Sequence, residues 1–167
     1  MRRRAALRRL AGLGAAACAS TLGACGFHLR QPLALPFRSI ALTGFEPRSP
    51  LEAELRRSLA AVVSVKAVPT EAEVVLHAQL DRRERSVAAS TAAGQVREIQ
   101  LRVHTVLRAD ARGGRALIAP FELRLTRDLP YIESAALAKA QEEGELFREM
   151  QSDVVDQVMR RLAAVRI

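Results

Sequence analysis

The chain has no tryptophan, and aromatic residues make up only 4% of it. Any core must therefore be aliphatic, built on Leu, Val and Ala. Cysteine is nearly absent too, with only Cys18 and Cys25. A disulfide-stapled fold is excluded, so stability has to come from burial, which a hydrophobic content of 49% allows. No apolar run reaches the roughly 20 residues that a membrane-spanning helix needs. Histidine is scarce: His28, His77 and His104 lie on separate segments, and none has a partner at metal-ligand spacing. Serine and threonine show no nucleophile-elbow pattern. Gly113-Gly114 stands between two strand patterns, so it reads as a turn rather than a phosphate loop. Composition and spacing thus give no catalytic constellation, no metal site and no cofactor motif, and a binding or structural role is expected instead of an enzyme.

What is present begins with charge of one sign. Residues Met1 to Ala24 hold five arginines, Arg2, Arg3, Arg4, Arg8 and Arg9, and no acid. From Leu10 to Ala24 there is no charge at all. A basic start, a short apolar middle and small residues at the end make a secretory signal peptide. Arg8-Arg9 also fits a twin-arginine start, so the export route stays open. The signal ends in Leu22-Gly23-Ala24-Cys25, which resembles the bacterial lipobox. That resemblance implies a diacylglycerol on the Cys25 thiol, cleavage before it and acylation of the new amine. Ala15-Ala16-Ala17 before Cys18 lacks the large residue of a lipobox. Stable anchoring takes more than one acyl chain, and a triacylated cysteine satisfies that. Gly26 rather than Asp follows the cysteine, which by resemblance to lipoprotein sorting implies the outer membrane.

The expected organisation is a signal over residues 1–24 and one domain over residues 25–167, anchored through Cys25. Removing 24 residues from 167 leaves 143, the size of one ordinary domain. The signal carries five of the eight net positive charges, so the domain keeps +3. Most of the high isoelectric point belongs to the discarded part, and nucleic acid is not an expected partner.

Within the domain, Gly26 to Pro36 reads as an extended lead-in and Ser39–Thr43 as a short strand closed by Gly44. Ser49, Pro50 and Glu52 form a capping box, opening a helix from Pro50 to about Val62 with Leu51, Leu55 and Leu59 on one face. Val63 to Val68 holds a possible extra short strand. Three alternating stretches follow. Val74, Leu76, Ala78 and Leu80 form the apolar set of the first. The second has Ile99, Leu101, Val103, Thr105 and Leu107, and the third runs from Leu117 to Leu125. Period two with one apolar face means a sheet covered on one side. Pro120 places the last strand at an edge or in a bulge. From about Ser134 to Val165 the period becomes helical, with Phe147, Met150, Val154, Val158 and Leu162 on the stripe and Gly144 as a candidate bend. The fold expected is α+β: a two-layer sandwich of a mostly antiparallel four-stranded sheet with two helices on one face.

Two connections carry sharper expectations. The inward sets flanking Gly113-Gly114 are both odd-numbered, so the loop there must hold an odd number of residues, such as Arg112-Gly113-Gly114, or be bulged. The hairpin near Thr91–Gly94 has two registers compatible with its apolar faces. In one, Asp81 faces Arg102 and Arg85 faces Glu98. In the other, Arg83 faces Arg102.

Two stretches together resemble the lipopolysaccharide-assembly lipoprotein family, LptE. The first is Cys25-Gly26-Phe27-His28-Leu29-Arg30. The second is Leu125-Thr126-Arg127-Asp128-Leu129-Pro130-Tyr131, with the helix carrying Ala138-Lys139-Ala140-Gln141-Glu142-Glu143, Leu146-Phe147-Arg148-Glu149-Met150 and Val158-Met159-Arg160-Arg161-Leu162 after it. The middle, from about Pro47 to Ala119, matches in layout only. Gln31 stands where many members have Gly, and Ile132 where many are acidic. The resemblance implies a non-enzymatic lipoprotein on the periplasmic side of the outer membrane. It would plug the LptD β-barrel, assist its assembly and bind lipopolysaccharide during delivery to the cell surface. Arg82, Arg83, Arg85, Arg97 and Arg102 gather around the Thr91–Gly94 hairpin and are the candidates to hold lipid A phosphates. The anchor and small α/β domain also fit an auxiliary lipoprotein of a lipid-transport ATPase, or a lipid-anchored periplasmic hydrolase.

Cys25→Ser is expected to block lipidation and leave an unprocessed precursor, or a species that no longer partitions into detergent. Processing and membrane attachment as in wild type would show that Cys25 is not the anchor.

Overall fold

The computed structural model describes residues 33–167. Cys18, Cys25 and His28, and the lead-in as far as Pro32, lie outside them. The described chain is one mixed five-stranded sheet with two helices. Its elements in order are β1 (Ser39–Thr43), α1 (Pro50–Ala60), β2 (Ser64–Lys66), β3 (Val74–Ser90), β4 (Val96–Ala111), β5 (Ala116–Pro130) and α2 (Ala136–Ala163). The strand order is β2-β1-β3-β4-β5. β1 is parallel to both its neighbours, and the three long strands are antiparallel. The expected α+β sandwich is correct. The short segment after α1 does form a strand, which makes five strands where four were expected.

β4 is the spine of this sheet. Its odd residues Ile99, Leu101, Val103, Thr105, Leu107 and Ala109 are all buried. They form the floor on which the helices lie, while Gln100, Arg102, His104 and Arg108 face outward. Thr105 is the one polar member, and its Oγ1 has no hydrogen-bond partner among the described residues. An orphaned buried hydroxyl costs about 1–3 kcal/mol. β5 is an edge strand, and the pairing slips between Leu107↔Phe121 and Ala109↔Ile118, where Pro120 lies. A residue without a backbone donor is tolerated at such a place.

The turn between β4 and β5 obeys the parity argument. The Ala111 N–H donates to the Arg115 carbonyl at 2.8 Å, closing a three-residue loop of Arg112, Gly113 and Gly114. Both glycines are left-handed, at φ 91° and 88°. The β3–β4 hairpin differs from both expected registers. Up to Ala78↔Leu107 the pairing keeps the even residues of β3 inside. It then shifts, and Leu80 pairs with Val106. The extra residue is Gln79, a β-bulge that swaps the faces of everything beyond it. Leu80 therefore leaves the inward set for an outward apolar pair with Val106. Asp81, Arg83 and Arg85 turn toward the helices, and Arg102 faces Glu84 rather than Asp81 or Arg83.

α1 begins as its sequence predicts, with one half of the capping box missing. Ser49 Oγ accepts the Glu52 N–H at 3.1 Å and Pro50 holds the first turn. Glu52 does not reach back. Its carboxylate pairs with Arg56 at 2.6 Å, and the Ser49 N–H donates to the Glu46 carbonyl at 3.0 Å. Leu51, Leu55 and Leu59 are buried, each contributing about 1.5–3 kcal/mol by leaving water. The Ser49 hydroxyl donates to Asp81, which the bulge has brought beneath the helix start.

α2 is unbroken over 28 residues, about 42 Å. Gly144 neither bends nor ends it. Only the part from Phe147 onward is buried, and the first turns run free of the core, with Leu137 79% exposed. Gln151, itself buried, donates to the Pro50 carbonyl at 3.0 Å and to the Glu54 carboxylate, fastening α2 to the first turn of α1.

Two glycines make opposite tests of this fold. A Cβ on Gly144 meets nothing within 4 Å, so Gly144→Ala is expected to stabilise by up to about 1 kcal/mol. Gly44 has φ +75°, and a Cβ there lies 2.3 Å from the Ala78 carbonyl oxygen. Gly44→Ala is expected to cost at least about 2 kcal/mol, from left-handed strain plus the clash. Urea unfolding of both variants measures this, and equal midpoints would contradict the geometry.

Candidate functional site

The five candidate arginines do not form one cluster. The bulge divides them between the two faces of the sheet. Arg82 and Arg102 are on the outer face, paired with His104 and Glu84 respectively. Arg83 and Arg85 are on the helix face, and Arg97 lies at the far end of the hairpin.

The outer face neutralises its own charge. Arg82 lies 3.4 Å from Glu84, Arg108 lies 3.3 Å from Asp110, and Arg124 lies 2.6 Å from Glu122. His104 also meets Glu122. Arg102 donates to the Gln100 side-chain oxygen, while Gln100 donates to Asp128 at 2.9 Å. The Arg124 guanidinium, and after it His104, hold the Glu122 carboxyl below the usual carboxylate range. A hollow of about 400 Å³ lies among Glu84, Arg102, His104, Arg124 and Thr126. It is rimmed by both signs of charge and is a poor seat for an anion. Exposed pairs of this kind contribute at most about 1 kcal/mol each. They make a polar, balanced surface. His77 is half-buried and hydrogen-bonded to Thr43 Oγ1 at 2.9 Å.

The helix-facing arginines have apolar neighbours. The Arg83 guanidinium lies 4.3 Å over the Phe147 ring. Arg85 pairs with Glu143 of α2 at 3.0 Å and lies 6.0 Å from the Tyr131 ring. Arg97 lines a hollow of about 320 Å³ with Val96, Tyr131, Ile132 and Glu133. At this same end the hairpin and the first turns of α2 both project past the core. Val87 is 52% exposed, Ile132 53% and Leu137 79%. Cations next to uncovered aliphatic side chains suit a molecule with an anionic head and an apolar body. Sequence reading missed this apolar half, although two signals were available. Leu137 falls off the buried stripe of its helix, and Ile132 is apolar at a position where many members of the family it resembles are acidic. Among the described residues no cluster of three or more metal-ligand side chains occurs, and no helix is long and apolar enough to cross a membrane.

Known proteins agree with this architecture. The chain is similar to lipoprotein B from Nitrosomonas europaea, with 30% identity and a TM-score of 0.69, over 83% of this chain and 91% of that one. A minor lipoprotein from Acinetobacter baumannii has the same fold at 21% identity and a TM-score of 0.62, over 78% and 93% of the two chains. So does the rare lipoprotein B from Shewanella oneidensis, at 24% and 0.60, over 76% and 95%. No curated protein is matched. The family model described as LptE, lipopolysaccharide-assembly, matches residues 37–162, well over half the sequence and nearly the whole folded domain, and the chain therefore belongs to the LptE family.

Proposed function

We propose that this protein is an outer-membrane lipoprotein, held on the periplasmic side through Cys25, that plugs and helps assemble the LptD β-barrel and binds lipopolysaccharide as it is delivered. The family is a non-catalytic component of lipopolysaccharide assembly. The balanced polar outer face supports the plug, because it resembles a surface made for a wet, polar lumen. The single observation that carries lipopolysaccharide binding is the far end of the hairpin. Lipid A joins phosphates to acyl chains, and at that end Arg97 and the Glu143-paired Arg85 lie near the exposed aliphatic side chains of Val87, Ile132 and Leu137. Arg97 and Arg85 would take the phosphates, since guanidinium makes forked, charge-assisted bonds to them. Val87, Ile132 and Leu137 would take the acyl chains. Arg83 would act mainly by covering Phe147, and Arg82 and Arg102 would stay with the outer face.

Binding of purified mature protein to lipopolysaccharide tests this. Arg85→Gln plus Arg97→Gln is expected to weaken binding by at least about tenfold, the loss of two charge-assisted contacts. Arg82→Gln plus Arg102→Gln is expected to change it less than about twofold, as for exposed pairs. The reverse ranking would move the site to the outer face. An affinity pull-down from detergent-solubilised membranes tests the barrel. Recovery of an ATPase complex in place of a large barrel would overturn the plug.

A further inference from the structure

The two edges of the sheet are unequal. At one, β2 is only three residues long, too short to template another strand. At the other, β5 runs for 15 residues, with no strand beyond it among the described residues. One bond gives the direction of its backbone groups. The Tyr131 N–H donates to the Arg97 carbonyl at 2.8 Å, in step with the Glu98↔Pro130 register. Bonding alternates along an antiparallel strand, so the odd positions from Phe121 to Leu129 bond to β4 and the even ones face the open edge. Thr126 fits this, because its carbonyl accepts from the Arg127 guanidinium at 3.2 Å. Pro130 falls at an even position, where its missing donor costs the sheet nothing. Pro120, which also lacks a donor, lies in the pairing slip at the other end. Between the two prolines the N–H and C=O groups of Glu122, Arg124, Thr126 and Asp128 point away from the sheet. From Phe121 to Leu129 this window spans nine residues.

We infer that this window is a strand-addition site for an unpaired strand of the LptD barrel, used while the barrel is being built. The inference rests on the assembly role proposed above. Side chains on the two faces of β5 set the chemistry of the strand that fits. On the helix face the row is Phe121, Leu123, Leu125 and Leu129, interrupted by Arg127, and Phe121 and Leu125 are only half-buried. An added strand would cover these two with apolar side chains. On the outer face the row is Glu122, Arg124, Thr126 and Asp128, all exposed, and it calls for polar neighbours. Alternation of apolar and polar residues over about 9–11 positions is the pattern of a strand that crosses an outer membrane. A second copy of this domain fits poorly. Antiparallel pairing of two β5 edges over the whole window would set Glu122 against Asp128 twice, and a shifted register brings Pro120 or Pro130 into the ladder. A closed barrel has no free strand edge, so the contact belongs to the period before closure. Closure then frees the β5 edge and leaves the domain in the lumen. The two prolines keep the added ladder short, and a short ladder is reversible.

The geometry is tested first in the purified mature protein. Amide hydrogen exchange along β5 is expected to alternate, at least about tenfold faster at Glu122, Arg124, Thr126 and Asp128 than at Leu123, Leu125, Arg127 and Leu129. Uniform protection would mean that the edge is already covered, and would overturn the inference. Binding is then tested by co-expressing the barrel protein and recovering it from detergent-solubilised membranes through the tagged lipoprotein. Arg124→Pro plus Thr126→Pro removes two outward donors without touching a bond to β4. It is expected to lower the folded barrel recovered by at least about tenfold, the loss of two backbone hydrogen bonds. Arg124→Ala plus Thr126→Ala removes side chains only, and is expected to change recovery less than about twofold. Equal recovery with the proline and alanine pairs overturns the inference and leaves the plug standing. No barrel recovered even with the wild type sinks the plug and the inference together. Urea unfolding checks that the proline pair is folded. If it is not, a photo-crosslinker at Thr126 decides, with a crosslink to newly made, still heat-labile barrel expected and its absence overturning the inference.

Discussion

The bulge at Gln79 is the constraint on which the arrangement of this domain depends. Below it, the even residues of β3, Val74, Leu76 and Ala78, bury their side chains against the helices. Above it, the odd residues face the helices, and they are the half-buried Asp81 and the exposed Arg83 and Arg85. One extra residue thus replaces an apolar inner face by a polar one partway along a strand. Each polar group delivered in this way meets a specific partner. Asp81 accepts the Ser49 hydroxyl at the start of α1, Arg83 lies on Phe147, and Arg85 pairs with Glu143. Both helices are therefore positioned by side chains that an unbulged strand would point at water. The same shift sends Leu80 out to Val106, a small loss of burial that the apolar pair partly offsets.

Where two apolar sets flanked a connection, the sequence was enough to place it. The odd-numbered inner faces of β4 and β5 are long and unambiguous, so a two-residue turn at Gly113-Gly114 would have put one of them in water. The loop has three residues for that reason. Along upper β3 the information runs out. From Arg82 to Ser90 only Val87 is a large aliphatic residue, and a strand without an apolar alternation does not fix its own register. Gln79 carries none of the glycine signature that marks some bulges, so nothing local announced the shift. The sequence therefore groups arginines that the fold divides between two faces. Gly144 was misleading in another way. The residues around it, Glu142, Glu143, Glu145 and Leu146, are strong helix formers, and the helix passes through it at the cost of one glycine. At Ser49 the hydroxyl half of the cap was legible, but the fate of the Glu52 carboxylate depended on Arg56, four residues on, which competes for it.

The two halves of the long hairpin serve different ends. Its lower half, with β1 and both helices, holds most of the fully buried side chains, including Ile40, Leu55, Leu59, Leu76 and Leu107. Removing one such leucine to alanine costs about 2–5 kcal/mol, a large share of a small domain's stability. The upper half contributes through β4, in Ile99 and Leu101, while β3 above the bulge has no fully buried side chain. Its inner face is covered only as far as α2 reaches, and the first turns of that helix bury no large side chain. A domain shaped by stability alone would be expected to end its hairpin at Phe147 and start its last helix there.

The overhang leaves an open surface. Leaving Val87, Ile132 and Leu137 in water forgoes burial worth on the order of 1–3 kcal/mol for each side chain. It also creates a patch that invites association. Arginine is the residue type suited to such a margin, because its stem covers apolar surface while its head stays wet. Arg83 and Arg85 do this over Phe147 and beside Tyr131. A wholly apolar overhang would aggregate, and a wholly charged one would stay solvated and bind apolar chains poorly. The mixture keeps the far end wetted while leaving its aliphatic side chains uncovered.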